Sequence, residues 1–120
     1  MSTERPTVFV TQDVMVRNNE GDLERKFDFS AAEAEYGEVR VLIPHGQSLV
    51  STVPVVRQLN EQLRGFTEDD FLLPLGDPSI MAAAAAIAAR NTNGKLKVLK
   101  WDRRQGRYLC VPLDLSGKSL

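Results

Sequence analysis

Residues 76–108 read GDPSIMAAAAAIAARNTNGKLKVLKWDRRQGRY, and the fold class turns on them. Asp77 followed by Pro78 is a helix start. The carboxylate accepts from a first-turn N–H that has no other partner, and proline sits where its missing N–H costs nothing. The helix this predicts runs to about Asn91, and Asn93-Gly94 supplies a left-handed stop. Beyond the stop, Lys95, Lys97 and Lys100 alternate with Leu96, Val98 and Leu99, the pattern of a strand over residues 95–101. Residues 103–106 turn the chain into a second strand over residues 107–115, which closes a hairpin.

Working outward, the upstream sequence supplies three further strands and a helix. Residues 7–17 place Val8, Val10, Val14 and Val16 among mostly polar neighbours, with an irregularity at Gln12-Asp13. Asn18-Asn19-Glu20-Gly21 is a turn signal, and residues 22–29 return from it. Ser30-Ala31-Ala32-Glu33 has the form of a capping box, so a short helical turn reaches Tyr36 before Gly37 ends it. Residues 38–43 alternate again and form a third strand. Thr52 caps a helix with Pro54 in its first turn; Val55, Val56, Leu59, Gln62 and Leu63 fall at helical spacing, and Gly65 stops it. Residues 67–71 form a short capped turn leading into the apolar segment 72–75. The order is β-β-β-α-α-β-β with two main helices, an α+β fold with an antiparallel sheet, in a single domain over residues 1–120. Disorder is expected only in residues 1–6 and 116–120.

Charge is divided along the chain. Between Arg90 and Arg107 seven Lys/Arg face a single acid, Asp102, whereas residues 1–79 carry seven Lys/Arg against fourteen Asp/Glu. The near-neutral total of −1 averages two opposed regions, and the basic one points to an anionic partner, phosphate foremost. At 120 residues the chain buries a real core but not two. One cysteine, Cys110, excludes an internal disulfide and fits a reducing compartment. No apolar run reaches membrane-span length and the first residues lack a secretory-signal layout, so the expected location is the cytoplasm.

Catalysis is hard to build from these residues. The one histidine, His45, lies in a Pro-His-Gly loop with no serine or acid at motif spacing, and Cys110 reads as a strand residue. No Cys/His cluster has metal-ligand spacing. Glu68-Asp69-Asp70 and Asp77 read as helix-start carboxylates, and the acid at Asp77 would repel a phosphate from that helix end. No enzyme, no metal and no cofactor are expected.

Two features carry function instead. Ile80, Ala84 and Ile87 make a core stripe, but Ala82, Ala83, Ala86 and Ala89 leave the far side apolar too. A helix apolar all round is buried all round, which predicts a homo-oligomer: a dimer or a multiple of dimers such as a hexamer. At the hairpin, Trp101, Asp102 and Arg103 offer stacking, an acceptor and a bidentate donor, a set suited to a purine ribonucleotide. The other reading of these three is a structural turn with Trp101 in the core.

VPVVRQLNEQL (residues 53–63), LPLGDPSI (residues 73–80), the AxxAAxNTNG pattern within residues 82–94 and LKWDRRQGRYLCVPLDL (residues 99–115) together resemble a phage family, the first-described Thoeris anti-defence proteins. The likeness covers the chain from about Val39 onward, and none of its motifs is as specific as a zinc or P-loop signature. That family sequesters cyclic ADP-ribose signals made by bacterial TIR enzymes, holding the ligand at subunit interfaces with arginine, asparagine and an aromatic side chain. The resemblance implies ligand contacts from Arg57, from Asn91 or Asn93, and from Arg103 or Arg107. Near the start of the alanine helix this chain has Met81 where the family has its aromatic, so Met81 is an expected ligand contact while base stacking comes from elsewhere. Some relatives hold cyclic oligonucleotides at a second site, a second partner class.

The expected function is therefore non-enzymatic sequestration of a cyclic ADP-ribose isomer in the cytoplasm of a bacterial host. The alternative is a nucleic-acid or transcription-machinery binding module using the basic hairpin over residues 95–107. The acidic remainder of the chain weighs against a duplex partner.

Overall fold

A computed structural model describes residues 5–46 and 52–117, apart from the side chain of Thr52. Its local structure follows the sequence closely around the alanine helix, α3 (Pro78–Asn91). Asp77 accepts from the Ser79 N–H at 2.7 Å, and Pro78 opens the helix. Asn93 and Gly94 both take positive φ, and the Gly94 N–H returns to the Ala89 carbonyl at 2.7 Å, closing the helix end. Strands β6 (Lys95–Asp102) and β7 (Arg107–Asp114) then form the expected antiparallel hairpin.

The α+β class holds, but the sheet is mixed and mostly parallel, which corrects the antiparallel expectation. β1 (Thr7–Gln12) lies between β4 (Glu38–Ile43) and β5 (Phe71–Leu73), parallel to both, and β5 pairs in parallel with β6. The five-stranded order is β4-β1-β5-β6-β7, and β6–β7 is its one antiparallel pair. The difference comes from β5. Phe71, Leu72 and Leu73 are all buried, so the segment shows no polar alternation and reads as a bare apolar run. Inserted between the two main helices, it turns each into a crossover connection, and such connections join parallel strands. The two helices are α2 (Thr52–Gln62) and α3.

The irregularity at Gln12-Asp13 is where the chain leaves this sheet. β2 (Met15–Arg17) pairs with β3 (Leu23–Arg25) in a separate hairpin, whose turn is tied by Asn18 Oδ1 accepting from the Glu20 and Asp22 N–H groups. The short helix α1 (Ser30–Glu35) exists, but without the expected capping box. Asp28 Oδ1 accepts from the Ser30 N–H at 2.9 Å, so the turn is organised two residues earlier and Phe29 occupies the cap position. The cap expected from Thr52 lies outside the described residues. So do residues 1–4 and 118–120 of the expected disordered ends, whereas the Pro6 carbonyl is fixed by the Glu38 N–H at 3.2 Å.

The sheet has a core on each face, because successive side chains of β1 point opposite ways. Phe9 and Leu72 pack with Val55 and Leu59 of α2, with Leu63 just past its end, and with Ile80, Ala84, Ile87 and Ala88 of α3. Val8, Val10, Phe71 and Leu73 pack on the other face with Ala32 of α1, Leu99 and Tyr108. Each fully buried aliphatic side chain contributes roughly 1.5–3 kcal/mol relative to exposure. On the edge strand β7, the Leu115 N–H bonds the Gly94 carbonyl, so residues of the same phase face β6. Pro112, opposite Lys97, falls on the outward phase and leaves no donor at that point of the edge. Among the described residues no helix is long and apolar enough to cross a membrane.

Candidate functional site

The hairpin tip gathers four of the expected ligand residues. Trp101 stands opposite Tyr108, and Asp102 opposite Arg107. Trp101 is 50% exposed, so it is not the core residue of the alternative reading. Its ring meets Tyr108 edge-to-face at 4.9 Å between centroids, which fixes its position and leaves much of it to solvent. Asp102 Oδ1 accepts from the Arg104 N–H at 3.2 Å and so shapes the turn. Arg103 and Arg104 are exposed. Arg107 is already engaged: its Nη2 donates to Glu35 Oε1 at 2.7 Å, tying the tip to α1.

The other expected residues lie elsewhere. Met81, half-buried in the first turn of α3, is at the same end of the sheet as the tip but on the opposite face, since Trp101 shares the phase of Leu99. Asn91 and Asn93 sit before β6 begins, so they are separated from Arg103 by the strand's length, on the order of 25–30 Å. The ligand contacts that the resemblance implies at Asn91 and at Arg103 are therefore not brought together. Asn91 Nδ2 donates to the Leu63 carbonyl at 2.8 Å, bracing the end of α2 against α3, and Asn93 is the left-handed residue of the helix stop. Arg57 is exposed on the outer side of α2, above a shallow hollow shared with Val53, Asn60 and Arg64. Glu61, one helical turn on from Arg57, lies 4.0 Å from Arg64.

Parallel sheets place ligands in the crevice at the carboxyl ends of strands whose connections leave in opposite directions. Here that crevice lies between β1 and β5, because β1 leads through α1 to β4 on one face and β5 through α3 to β6 on the other. The chain fills it. Thr11 Oγ1 donates to the Leu75 carbonyl at 2.6 Å and accepts from the Leu75 N–H at 2.7 Å. Gln12, buried, donates from Nε2 to the Pro44 carbonyl at 3.2 Å and accepts at Oε1 from the Asp77 N–H at 2.8 Å. Gly76 permits this: a Cβ there would fall 2.3 Å from Gln12 Oε1. Nearby, His45 Nδ1 accepts from the Met15 N–H at 3.1 Å, a structural task for the one histidine.

At the opposite end of the sheet, where the parallel strands begin, lies an open cleft of about 630 Å³. Its polar lining includes Arg5, Arg40, Gln62, Asp69, Asp70 and Lys97. Arg40 lies over the Phe9 ring at 5.8 Å and Lys97 over Phe71 at 4.8 Å, so both cations are held on aromatic faces. Asp70 is occupied: Oδ1 accepts from the Thr7 N–H at 2.9 Å, and Oδ2 from the Thr67 N–H at 2.9 Å and hydroxyl at 3.2 Å. Gln62 Oε1 is buried with no donor in reach among the described residues. An orphaned acceptor of this kind costs on the order of 1–3 kcal/mol. Sequence reading did not find this cleft, although a glutamine within the apolar stripe of α2 was its visible signal.

Among the described residues no group of three or more His, Cys, Asp or Glu side chains is placed to hold a metal ion. No curated protein and no solved structure matches the chain. The family described as Phage Pam3 gp32-like protein matches residues 6–115. The match bears out the phage origin that the resemblance implied, and contains no link to Thoeris anti-defence. With nearly its whole length matched, the chain belongs to the phage Pam3 gp32-like protein family.

Proposed function

We propose that this phage protein captures a small nucleotide signal of the cyclic ADP-ribose type and holds it without cleaving it. The observation that carries the reading is the hairpin tip. A half-exposed Trp101, braced by Tyr108, lies on the strand that leads into a turn carrying the exposed Arg103 and Arg104. An indole face stacks on adenine, and a guanidinium fork pairs with pyrophosphate. The tip projects from the sheet, so enclosure of a ligand would come from a second copy. The exposed Ala82 and Ala86 of α3 offer an apolar, uncharged side for such assembly.

The test is to incubate the protein with cyclic ADP-ribose isomers, remove the unbound fraction, denature, and analyse what is released. Intact nucleotide, retained by the parent and lost about tenfold or more in Trp101→Ala and Arg103→Lys, is the expected result. Altered nucleotide would make the protein an enzyme. The same exposed tryptophan among basic residues also favours a second reading, a single-stranded nucleic-acid module. No retained nucleotide, together with steeply salt-dependent oligonucleotide binding, would replace the proposal with that reading.

A further inference from the structure

We infer that the open edge of β4 pairs with the β4 of a second copy of this chain, antiparallel across a twofold axis, and so joins two sheets into one. β4 ends the sheet, with β1 as its one neighbour. The Glu38 N–H donates to the Pro6 carbonyl at 3.2 Å, so Glu38, Arg40 and Leu42 turn their backbone groups towards β1. Val39 and Val41 turn theirs outward, and among the described residues these groups have no partner. At Ile43 the open edge ends, because its carbonyl accepts from the Asp13 N–H at 3.0 Å and faces the β1 side again. On β7, by contrast, the outward phase includes Pro112. Of the two edges, β4 is the one a backbone partner can use.

The side chains choose the partner and the register. Glu38 and Arg40 are exposed, share one face of the strand, and form no ion pair among the described residues. An antiparallel edge pair must set outward residues opposite one another. Val41 on Val41 would put Val39 against Ile43, which faces inward. Val39 on Val41 would put Arg40 directly against Arg40, like charge on like. Val39 on Val39 puts Glu38 against the partner's Arg40, and the axis repeats the contact as Arg40 against the partner's Glu38. Both contacts are of the non-hydrogen-bonded kind, where side chains approach closest. An unrelated strand would have to supply this order of charges, whereas a second copy already carries it. The hairpin tip belongs to the other end of the strand order, so the pairing does not depend on what the tip binds.

Backbone hydrogen exchange tests the assignment, at low ionic strength because salt screens exposed charges. The Val39 amide should be protected at millimolar protein and lose that protection on dilution. The Arg40 and Leu42 amides, bonded to β1, should stay protected throughout. Glu38→Arg and Arg40→Glu should each weaken the pairing about tenfold, with melting temperatures near the parent's. An equimolar mixture of these two variants, and a chain carrying both substitutions, should regain the parent's protection. A Val39 amide unprotected at every concentration would overturn the inference. So would protection that neither single variant reduces, or that neither the mixture nor the double variant restores. Ala86→Glu should leave the Val39 protection unchanged, and its loss there would assign the protection to contacts of α3 instead.

Discussion

At the scale of single residues, the most exacting position in this protein is Gly76. Its φ of +90° lies in the region that side chains avoid, and a Cβ there meets both Oε1 and Cβ of Gln12 at under 3 Å. Gly76→Ala therefore combines backbone strain with displacement of a buried amide that two segments share. We expect a loss of roughly 2–4 kcal/mol, read as a lower urea midpoint with an unchanged slope. Gln12 itself had only appeared as an irregularity in a strand. Its role depends on Pro44 and Asp77, residues remote in sequence, and no local pattern announces such a meeting. Asp77, by contrast, was readable because a helix cap acts within three residues.

Elements divide in the same way. The alanine helix, its stop and the hairpin that follows were legible because each is determined by neighbours in sequence. β5 was not: three buried residues carry no period, and without β5 the chain cannot be seen to alternate strands and helices. The cleft was hidden for a related reason, since Arg40, Gln62 and Lys97 come from three separate elements. Within α3 the two sides now make separable predictions. Ala84 is fully buried against the sheet, so Ala84→Glu should abolish cooperative unfolding by burying an unpaired charge. Ala86 is exposed, so Ala86→Glu should keep the parent's melting temperature within a degree or two. If assembly uses that side of the helix, light scattering should show the Ala86→Glu protein at a lower mass than the parent.

For the whole molecule, stability should depend on pH mainly at the extremes. Burial raises the phenols of Tyr36 and Tyr108 above their ordinary value, with the Glu35 charge adding to Tyr36 and Asp28 to Tyr108. The folded chain then keeps protons that the unfolded chain releases above about pH 10, so stability is complete below that pH and falls beyond it. Tyr36 also donates to the Tyr108 carbonyl at 2.9 Å. Tyr36→Phe should thus be less stable near neutrality, by about 1 kcal/mol, yet decline less steeply between pH 10 and 11. In acid the sign reverses. The Ser30 N–H lowers the Asp28 carboxyl below its usual range, so its contribution is present above about pH 4 and is lost as pH falls further. Urea midpoints measured from pH 3 to 11 check both limbs.

Pro112 bears on what many such chains do in one solution. An outer strand able to donate along its full length would be a template, and each added copy would present the next. With the donor missing from the middle of β7, strand-by-strand recruitment stalls at the first molecule. Any contact between copies at that edge is left to side chains rather than to a continued backbone ladder.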